Sequence, residues 1–146
     1  MDELKTILLA EDNPYDVELT IEALKKHRLA NEVVAVQDGE EVMDYLTYNG
    51  RFRDRKKGNP VVLLLDIKMP RMDGIEVLEA IRSDEKLKML PVVMLTSSRE
   101  EPDLQKCYDL GVNAYVVKPV DFKDFLDAVK HIGVFWAMLN EQPPME

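Results

Sequence analysis

Five short apolar runs alternate with helical patterns along this chain, and that alternation restricts its fold more than any other feature. The runs are TILLA (6–10), EVVAV (32–36), VVLLLD (61–66), PVVMLT (91–96) and AYVVK (114–118). Four are nearly continuous in hydrophobicity, as strands buried on both faces of a parallel sheet must be. The second is flanked by polar residues, which suits an edge. Between the runs lie stretches of helical period. Asn13 is placed to cap the first, with Pro14 in its first turn and Val17, Ile21 and Leu24 forming one apolar stripe. Asp38 opens the second, and the third follows the MDG at 72–74. The fourth has Pro102 near its start, Leu104, Cys107 and Tyr108 on one side, and Gly111 as a stop. The fifth begins near Asp121 and buries Phe122, Phe125, Leu126, Val129 and Ile132. Strand–helix repeated five times predicts a doubly wound α/β sheet with right-handed crossovers.

The 146 residues suffice for one domain with a core. We expect a single domain over 1–146, its core about 4–132, with an extended last helix and tail over 133–146. The net charge of −9 argues against nucleic acid or anionic lipid as the main partner, because both require a basic surface. RFRDRKKG at 51–58 runs the other way, with five basic residues and one acid. It reads as a solvated loop or, alternatively, as a docking patch for an acidic partner. The longer stretch 48–60 reads as a surface insertion before the third strand. Cys107 is the single cysteine, which excludes an internal disulfide and a thiolate metal cluster. The acidic MDELK start and the four-residue ILLA run give neither a signal peptide nor a membrane span. A cytoplasmic protein is expected.

In open parallel sheets, ligands bind beyond the carboxyl ends of the strands. The first strand ends on Glu11 and Asp12, the third on Asp66, the fourth on Thr96 and Ser97, and the fifth on Lys118. Each has an ordinary structural reading: an acid after a strand often caps a helix, Thr96 is a good strand former, and Lys118 could be a surface charge. Taken together, four strand ends present reactive polar groups at one rim. Clustered carboxylates suit a hard divalent cation, Mg²⁺ in particular. A carboxylate can also attack phosphorus to give an aspartyl phosphate, with a metal, a hydroxyl and an ammonium holding the phosphoryl oxygens.

LLAEDNP, LLLDIKMPRMDG, VVMLTSS and AYVVKP, in that order, resemble the receiver domain of two-component response regulators, and the resemblance covers residues 4–132. It implies a flavodoxin-like fold, a five-stranded parallel sheet in order 2-1-3-4-5, and phosphorylation by a histidine kinase. Carried over by position, Asp66 is the phosphoacceptor. Asp12, Asp66 and the backbone carbonyl of Lys68 would ligate Mg²⁺, with Glu11 helping through water. Thr96 and Lys118 would contact the phosphoryl group, and the Lys118–Pro119 bond is expected to be cis. Tyr115 matches the aromatic that turns inward when the threonine moves; on the bare sequence it reads as ordinary strand packing. More narrowly, the chain is similar to the stand-alone regulators of phytochrome-type histidine kinases, which often form homodimers. The implied partners are such a kinase, a second copy of the chain, and a histidine phosphotransfer or other downstream protein.

The tail bears on output. VFWAML at 134–139 is apolar all round. Trp136 and Leu139 either fold back on the core or, with Phe135 and Met138, meet another subunit or partner. With no effector domain expected after Glu146, signalling would run through protein contacts. Rival functions fit less well. A phosphohydrolase of related fold resembles D-x-D at its nucleophile, and here DIK places Lys68 at the second acid. A flavin carrier would need a Gly/Ser/Thr-rich first loop, which EDNP is not. A receiver-like module that no longer accepts phosphate would not need the intact set of acids, Thr96 and Lys118.

Overall fold

The computed structural model describes residues 6–26, 32–97 and 102–130. Its elements run β1 (Thr6–Ala10), α1 (Pro14–Lys26), β2 (Glu32–Val36), α2 (Gly39–Thr47), β3 (Val62–Asp66), α3 (Gly74–Arg82), β4 (Val92–Thr96), α4 (Leu104–Asp109), β5 (Ala114–Val117) and α5 (Phe122–Lys130). All strand pairs are parallel, in the order β2-β1-β3-β4-β5. This is the doubly wound, flavodoxin-like arrangement, with β2 on an edge as expected.

Alternation along the strands assigns the two faces. Leu8, Ala10, Leu63, Leu65, Val92 and Met94 point to one side and pack with Val42, Leu46, Leu78, Ile81 and Cys107 from α2, α3 and α4. Ile7, Leu9, Leu64, Val93 and Leu95 point to the other and pack with Leu24 of α1 and Phe125 of α5. Both faces of β1, β3 and β4 are therefore dry, and their near-continuous hydrophobicity follows. Tyr108 departs from the expected apolar side of α4: it is 45% exposed, while Leu104 and Cys107 are buried. On α5, Phe125 is buried and Leu126 partly so. The side chains of Phe122 and Val129, and Ile132 altogether, lie outside the described residues.

The helix starts follow local chemistry. Asn13 Oδ1 accepts the N–H groups of Tyr15 and Asp16, and Asp38 caps α2 by accepting from the Glu41 N–H. Asp73 and Glu76 form a capping box at α3. Gly74 packs so closely that a Cβ there would collide with the Asp66 carbonyl oxygen, which holds the loop after β3 against the strand end.

The basic run is not simply solvated. Arg55 lies between the rings of Tyr45 and Tyr48, with its Cζ 3.8 and 4.2 Å from their centroids. Its Nε donates to the Tyr45 carbonyl at 2.8 Å, and Nη1 donates to the carbonyls of Lys56 and Gly58. A planar guanidinium sandwiched by two rings gains both stacking and cation–π attraction. Arg53, Lys56 and Lys57 remain exposed. Arg55→Ala should therefore loosen the whole insertion. Limited trypsin digestion should cut within 49–60 several times faster in the variant, and equal cleavage rates would contradict this role.

Candidate functional site

The register of the sheet assembles the site. Ala10 lies opposite both Val36 and Leu65, so Glu11 leaves β1 at the level where Asp66 closes β3. Asp66 lies opposite Leu95, Thr96 opposite Val117, and Lys118 follows. Every strand but β2 thus delivers a reactive side chain to one rim. Glu11, Asp12 and Asp66 each offer a carboxylate oxygen, and these oxygens lie within 4.8 Å of one another. A cleft of about 290 Å³ opens above them, lined also by Asp16, Lys68, Thr96, Ser97 and Lys118.

One ammonium ties the acids together. Lys118 Nζ donates to Glu11 Oε1 at 2.9 Å, and to Asp16 Oδ2 and Asp66 Oδ2 at 3.3 Å each. The other Asp66 oxygen, Oδ1, accepts the Lys68 N–H at 3.3 Å, and Glu11 Oε2 accepts the Asn13 N–H. Burial pushes the Glu11 carboxyl up to about 7, against the pull of its bond to Lys118. Burial alone would lower the Lys118 ammonium, but Glu11, Asp66 and Asp16 outweigh it and hold the group above its ordinary range. The site is a partly desolvated anionic cluster in which three carboxylates converge on the Lys118 ammonium.

Thr96 is buried at the end of β4, and its carbonyl accepts the Lys118 backbone N–H at 2.8 Å. The Lys118–Pro119 peptide is cis. Tyr115 is half-buried on β5 and meets Tyr108 edge-on, with centroids 6.2 Å apart. Phe135, Trp136, Met138 and Leu139 lie outside the described residues. The sequence reading missed Asp16, which joins the lysine from the first turn of α1. Its spacing of four from Asp12, one helical turn into α1, was the available signal.

Comparison with known proteins agrees with this fold. The family model for the response regulator receiver domain matches residues 7–130. The chain belongs to that family. Among curated relatives, this receiver domain is 38% identical over 132 residues to response regulator Rcp1 of Synechocystis sp. (strain ATCC 27184 / PCC 6803 / Kazusa), spanning 90% of this chain and 88% of that protein. Among solved structures, the bacteriophytochrome response regulator AtBRR is 56% identical, with a TM-score of 0.88 over 96% of this chain and 100% of that one. The Mn(2+)-bound form of Rcp1 superposes with a TM-score of 0.74 at 36% identity, over 97% of this chain and 99% of that one. Membership places the chain among signalling domains rather than turnover enzymes. Among the described residues, no helix is long and apolar enough to cross a membrane.

The charge balance of the receiver cluster makes two opposed predictions for the metal-free protein. Lys118→Met should lower stability by about 3 kcal/mol, because it strands buried carboxylates without their partner. Asp12→Asn should raise the melting temperature in EDTA, because it removes one crowded negative charge. Thermal and urea denaturation check both; shifts of the same sign would contradict this electrostatic account.

Proposed function

We propose that Asp66 accepts a phosphoryl group from a histidine kinase and that the modified domain signals through altered protein contacts. The observation that carries this reading is the Asp66 carboxylate itself. It closes β3 beneath an open cleft, with one oxygen 3.3 Å from an ammonium and two further acids alongside. The donor set fits a hard cation, being oxygen-only, anionic and open to solvent on one side, where a metal that keeps several waters can sit. Asp12, Asp66 and the Lys68 carbonyl would hold Mg²⁺, with Glu11 acting through water, and the ion would neutralise charge on the incoming phosphoryl oxygens.

The chain's own residues supply the rest. One Asp66 carboxylate oxygen forms the new bond to phosphorus as the donor's P–N bond breaks. The electron pair of that bond leaves with the imidazole, and the product is an acyl phosphate. Lys118 donates N–H bonds to the transferred oxygens, and the Thr96 hydroxyl bonds another. Movement of Thr96 toward that oxygen vacates space beside β5, into which Tyr115 turns, and the surface of α4 and β5 changes with it. The similarity to proteins named as bacteriophytochrome response regulators supports a phytochrome-type kinase as donor. For output we propose self-association through the apolar 134–139 run, with a histidine phosphotransfer protein as a further recipient.

Two measurements test the reading together. Incubation with acetyl phosphate and Mg²⁺ should give a single phosphoryl adduct by intact mass, lost in Asp66→Asn; an adduct that survives the substitution would overturn the assignment. Mg²⁺ at about one hundred times its dissociation constant should stabilise the fold by about 2.7 kcal/mol. Asp12→Ala should abolish that shift.

A further inference from the structure

Asp16 has no part in the phosphoryl-transfer chemistry just described, yet it occupies one of the three contacts of Lys118. Its carboxylate lies 3.3 Å from the ammonium, with the Asp16 and Lys118 side chains 25% and 18% exposed. Its position is built rather than incidental. Asn13 Oδ1 accepts the Asp16 N–H, Pro14 starts the helix, and Val17 beside it packs against the core under α1. The first turn is thereby fixed with the Asp16 side chain facing the cleft that also contains Asp66 and Thr96.

An ammonium has three protons and no acceptor, so its bonding capacity is finite. Glu11, Asp16 and Asp66 take all three in this structure. A phosphoryl group on Asp66 brings three acceptor oxygens and more negative charge; the N–H now bonded to Asp66 can pass to it directly, and Lys118 can give it a second N–H only by releasing Glu11 or Asp16. Glu11 is nearly fully buried, and its bond is the shortest of the three. Leaving it unpaired is the most costly exchange. Asp16 faces water and can be resolvated, so its contact is the one to yield.

We propose that Asp16 is a positioning residue that competes with the phosphoryl group for Lys118 and so sets how readily the phosphorylated state forms. This rests on the phosphoacceptor reading of Asp66. The prediction has a definite sign: removing the Asp16 charge favours the phosphoryl-bound state, because one competing acceptor is gone.

The test is a double-mutant cycle on the binding of beryllofluoride, a non-transferring phosphoryl mimic, to the full chain in Mg²⁺ buffer, read by fluorine NMR. Asp16→Asn should tighten binding about threefold or more, and Asp16→Ala, the second variant, should do the same. In a Lys118→Ala background neither substitution should change affinity, whereas a merely structural defect would weaken binding in both backgrounds. Asp16→Glu, which keeps a carboxylate near the lysine, should stay close to wild type. Unchanged or weaker binding in Asp16→Asn and Asp16→Ala overturns the proposal and leaves the Asp66 reading intact. Equal tightening in both backgrounds also overturns it, since Asp16 would then act by bare repulsion rather than through Lys118. Absence of Asp66-dependent binding in the wild type removes both readings.

Discussion

Three carboxylates share one ammonium at the carboxyl edge of this sheet, with a fourth beside them, and the rest of the structure serves that imbalance. Glu11, Asp16 and Asp66 all bond Lys118, and Asp12 adds a fourth negative charge beside them. Such an arrangement is poor for stability, because partly desolvated like charges repel and three carboxylates compete for one ammonium. It is well suited to attracting a divalent cation and then an anionic group that the cation makes tolerable. A site of this kind persists only on a frame rigid enough to hold the charges in place.

The sheet is that frame. Its three central strands are buried on both faces, so their register is set by packing on two sides and cannot slip without exposing a whole apolar face. Parallel pairing sends β1, β3, β4 and β5 to the same rim, and the register fixes the order in which acid, acid, hydroxyl and ammonium appear. The loop after β3 is held close by Gly74, whose missing side chain permits contact with the Asp66 carbonyl. Away from this rim, Arg82 of α3 donates to the carbonyls of Lys88, Leu90 and Gly111 and to Asn113 Oδ1, which ties α3 to the segment before β4 and to the turn after α4.

Features that depend on period and chain direction were legible in the sequence. Burial on two faces shows as unbroken hydrophobicity, and the ends of such strands are where ligands gather, so Glu11, Asp12, Asp66, Thr96 and Lys118 stood out without coordinates. Asp16 did not, because an acid in the first turn of a helix is ordinary dipole chemistry until a lysine more than a hundred positions away is brought beside it. Arg55 was hidden for a related reason. A basic run reads as solvated, and the two tyrosines that sandwich one of its members lie seven and ten residues earlier. Tyr108 fitted the helical spacing of a core residue, yet α4 is short and buries only Leu104 and Cys107, leaving the ring to lie edge-on to Tyr115.

Convergence of the acids on one cation is the central claim, and a paramagnetic ion addresses it most directly. Substoichiometric Mn²⁺ should broaden the backbone amide NMR signals of residues 11–13 and 66–68 first, with those of Ser97 and Lys118 close behind. Broadening that begins elsewhere on the acidic surface, or that spreads over it without preference, would contradict the account.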